Sequence, residues 1–391
     1  MSDTRKTTKP NVPNLRFPGF SGEWASRRIG EDCTVNMCKR IFANQTSEQR
    51  DVPFFKIGTI GGTPDAYITR DLFEEYKAKY NYPHEGEVMI TCAGTVGKTI
   101  VFDGEDAYFQ DSNIVWLSNP KQLYINSFLN YVLSRVNWNI LNSTTITRIY
   151  NDNLRELVIN YPSIKEQEKI VALLSLLDRR IAIQNKVIED LKKLKTALEE
   201  RMLGQCQGKQ VRLRDILIER VEKSRINNQY EVLSSTVSGI YSQREYFNKE
   251  IASADNTGYK AIHRGDVVLS PQNLWMGNIN YNDRFEIGIV SPSYKVFSID
   301  EKFDKGYIAF LLKTRKALWA YSLVSEQGAS IVRRNLNYES FLEISFVIPS
   351  LKEQQATARR LSAFKQKHTM EEAFLRSLLL QKEFMLKSLF I

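Results

Sequence analysis

The sequence predicts an α+β protein in which one unit, a globular region followed by a long helix, occurs twice. Two observations predict it. Over residues 161–203, apolar side chains fall at Ile170, Leu174, Leu177, Ile181, Ile188, Leu191, Leu198 and Met202. These alternating steps of three and four are those of an amphipathic helix with a coiled-coil seam. Gln184 and Lys195 take the two remaining places in the series. The second observation is a repeat. Pro349-Ser-Leu-Lys-Glu-Gln354 echoes Pro162-Ser-Ile-Lys-Glu-Gln167 at an offset of 187 residues, from 162 to 349. The helix that follows keeps that offset, with Leu361, Phe364, Leu375, Leu378, Met385 and Leu389 in its seam. Glu371 stands where the first helix has Gln184, and Lys382 where it has Lys195. A repeat of this length marks a duplicated unit.

The elements follow in order. Residues 1–13 are polar and rich in Lys and Pro, without the apolar core of a signal peptide, and read as a disordered lead-in. An aromatic, turn-rich entry leads to Arg28-Ile-Gly-Glu-Asp32. Residues 53–60, 88–92, 100–102 and 114–117 have strand character, while 68–79 and 125–136 have helical spacing. Pro162 and Ser163 open the first long helix and Gly204 stops it. At ~1.5 Å per residue it spans about 60 Å, too long for one compact domain, and it reads as a spacer. After a linker at 205–210, Val211-Arg-Leu-Arg-Asp-Ile216 parallels the opening of the first region. Arg264-Gly-Asp-Val-Val-Leu-Ser270 then parallels Glu85-Gly-Glu-Val-Met-Ile-Thr91 as a turn glycine leading an apolar strand. Segments 146–159 and 331–346 close the regions in Leu154-Arg-Glu-Leu157 and Phe341-Leu-Glu-Ile344.

Composition sets the bounds. With 391 residues there is room for two or three domains with their own cores. The net charge of +9 and pI near 9.1 favour a polyanionic partner, against the plainer reading of a merely basic soluble protein. No apolar run of about 18 residues suggests a membrane span. Cys33, Cys38, Cys92 and Cys206 have no framework spacing, which fits a reduced, cytoplasmic protein.

Three motifs invite chemistry. Gly94-Thr-Val-Gly-Lys-Thr99 has Cys92 where a phosphate loop needs glycine, so a tight turn exposing Lys98 is expected instead. Pro64-Asp65 followed by Glu75-Tyr76-Lys77 superficially fits a metal-dependent nuclease, whose carboxylates hold Mg²⁺. Leu72, Phe73 and Tyr76 place Glu75 and Lys77 on a helix, which weakens the fit. His84, His263 and His368 are isolated from one another and from the cysteines, so no zinc site is expected. No glycine-rich cofactor fingerprint is present.

The entry Leu15-Arg-Phe-Pro-Gly-Phe-Ser-Gly-Glu-Trp24 and the two Pro-Ser-x-Lys-Glu-Gln phrases resemble the specificity (S) subunits of type I restriction-modification enzymes. The resemblance covers residues 14–391. It implies two target-recognition domains, at 14–160 and 211–347, separated by two long antiparallel coiled-coil helices, at 161–204 and 348–391, in a pseudo-twofold repeat. Each domain would read one half of a bipartite, asymmetric site on double-stranded DNA. The family's subunit is non-catalytic. It recruits two methyltransferase (M) subunits and, in the full enzyme, restriction–translocase (R) subunits. S-adenosylmethionine, ATP and Mg would belong to those partners, and methylation is usually of adenine N6.

On that reading the expected DNA contacts are Thr91, Lys98, Arg148 and Tyr150 in the first domain. In the second they are Ser270, Gln272, Asn273, Arg333 and Arg334. Arg and Lys pair with guanine or phosphate, and Gln and Asn bond adenine. Antiparallel, centred helices would bring Gln184 to Glu371, a polar pair able to fix register. The rivals are a nuclease using Asp65 and Glu75, and a coiled-coil scaffold that binds no nucleic acid.

Overall fold

The computed structural model describes residues 11–48, 51–138, 148–247, 255–327 and 333–391. Residues 1–10 of the expected lead-in lie outside the described residues, as do Ile146 and Ile331, which open the two closing segments. Two compact units emerge. One takes the chain up to Ile183 together with Leu375–Ile391, and the other is Gln184–Phe374. Each unit therefore holds one globular region and part of each long helix.

The first unit runs β1 (Ala25–Arg28), α1 (Ile29–Asp32), β2 (Thr34–Met37), β3 (Val52–Phe55), β4 (Tyr67–Ile68) and α2 (Arg70–Lys79). It continues with β5 (Val88–Thr91), β6 (Thr99–Val101), β7 (Tyr108–Phe109), β8 (Ile114–Ser118), α3 (Asn126–Ser134), α4 (Asn151–Glu156) and β9 (Val158–Tyr161). The long helix α5 (Ile164–Gly204) follows. Its central sheet is antiparallel in the order β2-β8-β5-β6. Both faces of that sheet are covered, which is why β5 is apolar at successive positions. Val88 and Ile90 pack with Ile29, Leu129 and Leu154, while Met89 packs on the other side with Phe54, Phe73 and Trp116.

The second unit repeats this plan. Its elements are β10 (Lys209–Arg212), α6 (Leu213–Ile216), β11 (Leu217–Glu219), β12 (Leu233–Ser235), β13 (Ile240–Ser242), α7 (Gln243–Phe247) and β14 (Lys260–His263). Then come β15 (Val267–Leu269), β16 (Ile279–Tyr281), β17 (Ile287–Val290), β18 (Lys295–Ile299), α8 (Lys305–Leu311) and α9 (Arg315–Leu323). Last are β19 (Ser325–Gln327), β20 (Arg334–Leu336), α10 (Tyr338–Glu343), β21 (Ser345–Ile348) and α11 (Leu351–Ser388). Its sheet order, β11-β18-β15-β16, matches the first strand for strand. The antiparallel pairs β1–β9 and β10–β21 also correspond. Helix α9 and the antiparallel β19–β20 pair have no counterpart among the described residues of the first unit.

The repeated hexapeptide now has a physical meaning. Gln167 is fully buried, accepts a hydrogen bond from the Ile125 amide at 2.8 Å, and donates to the carbonyls of Leu123 and Pro162 at 2.9 and 3.0 Å. Gln354 does the same in its own unit, accepting from the Asp304 amide and donating to the Pro349 carbonyl, both at 2.9 Å. One side chain thereby ties the start of each long helix to the turn before α3 or α8. The glutamate before it differs between units. Glu353 bonds back to Ser350 as a capping box. Glu166 instead takes a two-pronged ion pair from Arg16 at 2.8 Å on both arms. That pair clamps the entry segment onto α5, and the Leu15 amide bonds the Ser388 carbonyl at the end of α11. Trp24, Phe128 and Phe390 fill the space beneath.

Seam residues Ile170, Leu174 and Leu177 are buried with Leu389 in the first unit, and Leu361 with Leu203 in the second. Some expected boundaries shift. The strand expected at 53–60 stops at Phe55, because the Lys56 amide bonds the Thr59 hydroxyl at 3.0 Å and the chain turns. The helix expected at 68–79 begins at Arg70, since Thr69 caps the Leu72 amide and Tyr67–Ile68 pairs with β3. Helix α5 does end at Gly204, without the left-handed φ that a glycine stop often shows.

Candidate nucleic-acid interface

In the second unit, the loop from Ser270 to Gly277 follows β15 and precedes β16. The Ser270 amide bonds the Asn278 carbonyl at 3.0 Å, and the Ser270 carbonyl accepts from the Asn273 amide at 3.1 Å. A left-handed Gly277, at φ 90°, turns the chain back into β16. Gln272 is exposed, and its carbonyl accepts from the Arg334 amide at 3.1 Å. The Arg334 guanidinium lies over the Trp275 ring, 4.2 Å from its centroid, a cation–π contact. Arg334 Nε has no hydrogen-bond partner among the described residues, and Arg333 beside it is exposed. Gln272, Asn273 and the two arginines therefore share one corner, joined by the backbone bond from Arg334 to Gln272. Ser270 belongs to it only through its backbone, since the residue is buried. Trp275 is the member the sequence reasoning passed over. The signal was an aromatic that follows Gln272 and Asn273 in the turn between two strands.

The corresponding corner of the first unit is arranged differently. Thr91 is fully buried, its hydroxyl donating to the Thr95 carbonyl and accepting from the Lys98 amide at 3.1 Å. It shapes the β5–β6 turn and offers nothing to a ligand. Lys98 is exposed on the turn as expected, and its ammonium donates to the Ile60 carbonyl at 2.5 Å. Burial corrects the expected Thr91 contact, while Lys98 stays at the surface. Arg148 and Tyr150 do lie together, 5.8 Å from guanidinium to ring centroid, and Tyr150 is 61% exposed. Arg148 also leans on Ser112, while the Ile149 amide bonds the Cys92 carbonyl at 2.9 Å. In both units, then, the strand following the first turn glycine ends in a loop pinned by the segment that leads into α4 or α10.

Gln184 Nε2 lies 2.5 Å from Glu371 Oε2 and 3.1 Å from the Glu371 carbonyl. Lys367, with Gln184 as the second cause, holds the Glu371 carboxyl below its ordinary range. The pair is one of the polar breaks in the seam, and its hydrogen bonds satisfy the buried amide of Gln184.

The other motifs resolve by geometry. The glycine-lysine stretch at 94–99 joins two antiparallel strands, so no helix N-terminus stands behind it to receive a phosphate. Asp65 pairs with Lys56 at 3.0 Å and Glu75 with Lys79 at 2.9 Å, each on the surface. Lys77 pairs with Asp106 at 3.2 Å. Among the described residues no group of three or more His, Cys, Asp or Glu is placed to hold a metal ion. Burial pushes the thiols of Cys33 and Cys38 up to about 12 and that of Cys92 up to about 11, so none supplies a ready thiolate. No described helix is long and apolar enough to cross a membrane.

Residues 21–193 match the family of type I restriction modification DNA specificity domains. A putative type I restriction enzyme specificity subunit of Haemophilus influenzae is 48% identical over 163 residues. That match spans 42% of this chain and 42% of the relative, so the chain is matched to about two fifths of the relative's length. The crystal structure of the S subunit of a type I restriction-modification system from M. genitalium has the same fold. Its TM-score is 0.62 at 18% identity, covering 97% of this chain and 99% of that one. A chain from a structural study of complex assembly and conformational transition in the type I system gives 0.53 at 13% identity, covering 96% and 98%. Residues 21–193 thus match a type I restriction modification DNA specificity domain, and the chain shares, along nearly its whole length, the fold of the S subunit from M. genitalium.

Proposed function

We propose that the chain is a non-catalytic reader of double-stranded DNA in which the regions 14–160 and 211–347 are two target-recognition domains. Each reads one half of a bipartite, asymmetric site. The observation that supports this best is one sheet order built twice and finished by unlike loops. In the first unit the exposed Lys98 of the β5–β6 turn bonds the Ile60 carbonyl, whereas the second carries Gln272 and Trp275 on its β15–β16 loop with Arg334 of β20 laid over the Trp275 ring. Two related scaffolds with different surfaces suit two different half-sites. The long helices act as spacer and as the seat for two M subunits, with R subunits completing the restriction complex. S-adenosylmethionine, ATP and Mg are bound by those partners, and the methyl group goes to adenine N6. The complex works in the cytoplasm.

Binding of duplex DNA by the chain assembled with its M subunits tests this reading. Affinity should fall steeply as salt rises, because phosphate contacts release counterions. Arg334→Ala should weaken binding about 10- to 100-fold, the range of a lost arginine contact to a base. That loss should appear only with duplexes that carry the second half-site. Salt-insensitive binding, or none, would leave the coiled-coil scaffold as the better account.

A further inference from the structure

We propose that the tip of the β12–β13 hairpin, residues 236–239, is a second DNA-reading element of the second domain, locked to the 270–277 loop by a buried polar network. The proposal rests on the DNA-binding reading above and extends it to a segment that no motif marks.

Ser235, Asn278 and Asn280 are each at most 5% exposed. Ser235 Oγ donates to Asn278 Oδ1 at 2.7 Å, and Asn278 Nδ2 donates back to the Ser235 carbonyl at 2.9 Å. Asn280 Nδ2 donates to Ser235 Oγ and to the Thr236 carbonyl, both at 2.7 Å. The Tyr294 hydroxyl adds a bond to the Ser235 carbonyl at 3.1 Å. From the side, Lys313 Nζ donates to the Val237 carbonyl at 3.0 Å and to the Gly277 carbonyl at 2.9 Å. One ammonium thus bridges the hairpin tip and the end of the loop that carries Gln272 and Trp275.

A network of this kind is not the cheapest way to hold a hairpin down. Buried polar groups cost stability unless every one is paired, and their return is a single defined arrangement. The first unit shows the apolar solution. In the strand-for-strand correspondence, β6 stands for β16, and Ile100 in the middle of β6 occupies the place of Asn280 in β16. Ile100 packs against the apolar cluster around Met89 and Phe102. The second unit uses an asparagine at that place to grip Thr236 at the edge of the tip. The tip itself presents Val237, 48% exposed, and an exposed Ser238 whose hydroxyl lies 3.0 Å from that of Thr236. An exposed apolar side chain flanked by hydroxyls suits a thymine methyl and neighbouring base edges. Fixing it to the Gln272–Trp275 loop gives two contact points with one register, which is what reading adjacent bases requires.

The test uses the chain in complex with its M subunits and duplexes carrying the full site. Ser238→Ala and Val237→Ser, both on the exposed tip, should each weaken binding about tenfold and relax preference at one position of the second half-site only. Asn280→Leu, which copies the apolar first unit, should lower affinity for the second half-site. It should leave the slope of log affinity against log salt unchanged, since no phosphate contact is lost. Thermal unfolding of each variant separates misfolding from lost reading, and the two tip variants should melt with the parent. Unchanged affinity and base preference in both tip variants would overturn the proposal while leaving the DNA-binding reading intact. A parent complex that binds no duplex would overturn both. A shallower salt slope in Ser238→Ala would assign the tip to phosphate contact and remove its reading role.

Discussion

Alanine at Gly97 is expected to be among the most damaging single substitutions in the first unit. Gly97 has φ 80°, in the left-handed region, and an added Cβ would lie 2.0 Å from Cδ1 of Trp138. Left-handed backbone costs a residue with a Cβ about 1–2 kcal/mol. Forcing an atom into a packed site adds about 1–3 kcal/mol. Trp138 cannot yield easily, since it is 5% exposed and packed in the core that holds Val88, Cys92 and Ile149. A total near 2–5 kcal/mol follows. Gly22 supplies the control: its φ is 80° too, but nothing lies within 4 Å of the added Cβ, so only the backbone cost applies. Urea unfolding of the two variants measures the difference. Equal midpoints for Gly97→Ala and Gly22→Ala would show that Trp138 does not seat on the turn as described.

Gln167→Leu is the second large effect. Leucine keeps about the same bulk and removes three hydrogen bonds at once, leaving the Ile125 amide and the Leu123 and Pro162 carbonyls without their partner. Each buried group left unpaired costs about 1–3 kcal/mol, so a loss of about 3 kcal/mol or more is expected. Gln354→Leu removes two bonds rather than three and should cost less. Amide hydrogen exchange locates each loss. Protection should fall in β1, β9 and α3 for Gln167→Leu, and in β10, β21 and α8 for Gln354→Leu. Uniform loss over both units, or an effect within about 0.5 kcal/mol, would contradict the role assigned to the hexapeptide.

Much of the fold was legible because it is written in local spacing. The three–four rhythm from Ile170 to Met202 and its copy in α11 depend only on residues a turn apart. The repeated hexapeptide announced the duplication, although the reason for its glutamine, a clasp reaching back some 40 residues to Leu123 and Ile125, lies in tertiary structure. The helix expected at 68–79 takes in Ile68 because the apolar spacing continues into α2, and only the pairing of Tyr67–Ile68 with β3 separates the two.

The interface was less legible. Thr91 and Lys98 are polar residues beside a glycine turn, and sequence cannot show that one is buried or that the other meets Ile60. The Gln184–Glu371 contact was accessible because it follows from two periodicities and a centre. Arg334 on Trp275 was not, since it joins segments far apart in the chain with no shared pattern. Spacing predicts helices and their partners; loop surfaces depend on contacts that no spacing encodes.

The most direct test of the account is modified-base sequencing of a methylation-deficient host that carries this chain with its cognate M subunit. Chains in which residues 14–160 or 211–347 are exchanged for those of a relative with another target provide the comparison. The account predicts one bipartite, asymmetric methylated motif, with each exchange changing one half and leaving the other. A single undivided motif, or an exchange that alters both halves together, would contradict two independent readers. So would the absence of any new methylation from a complex shown to bind its cofactor.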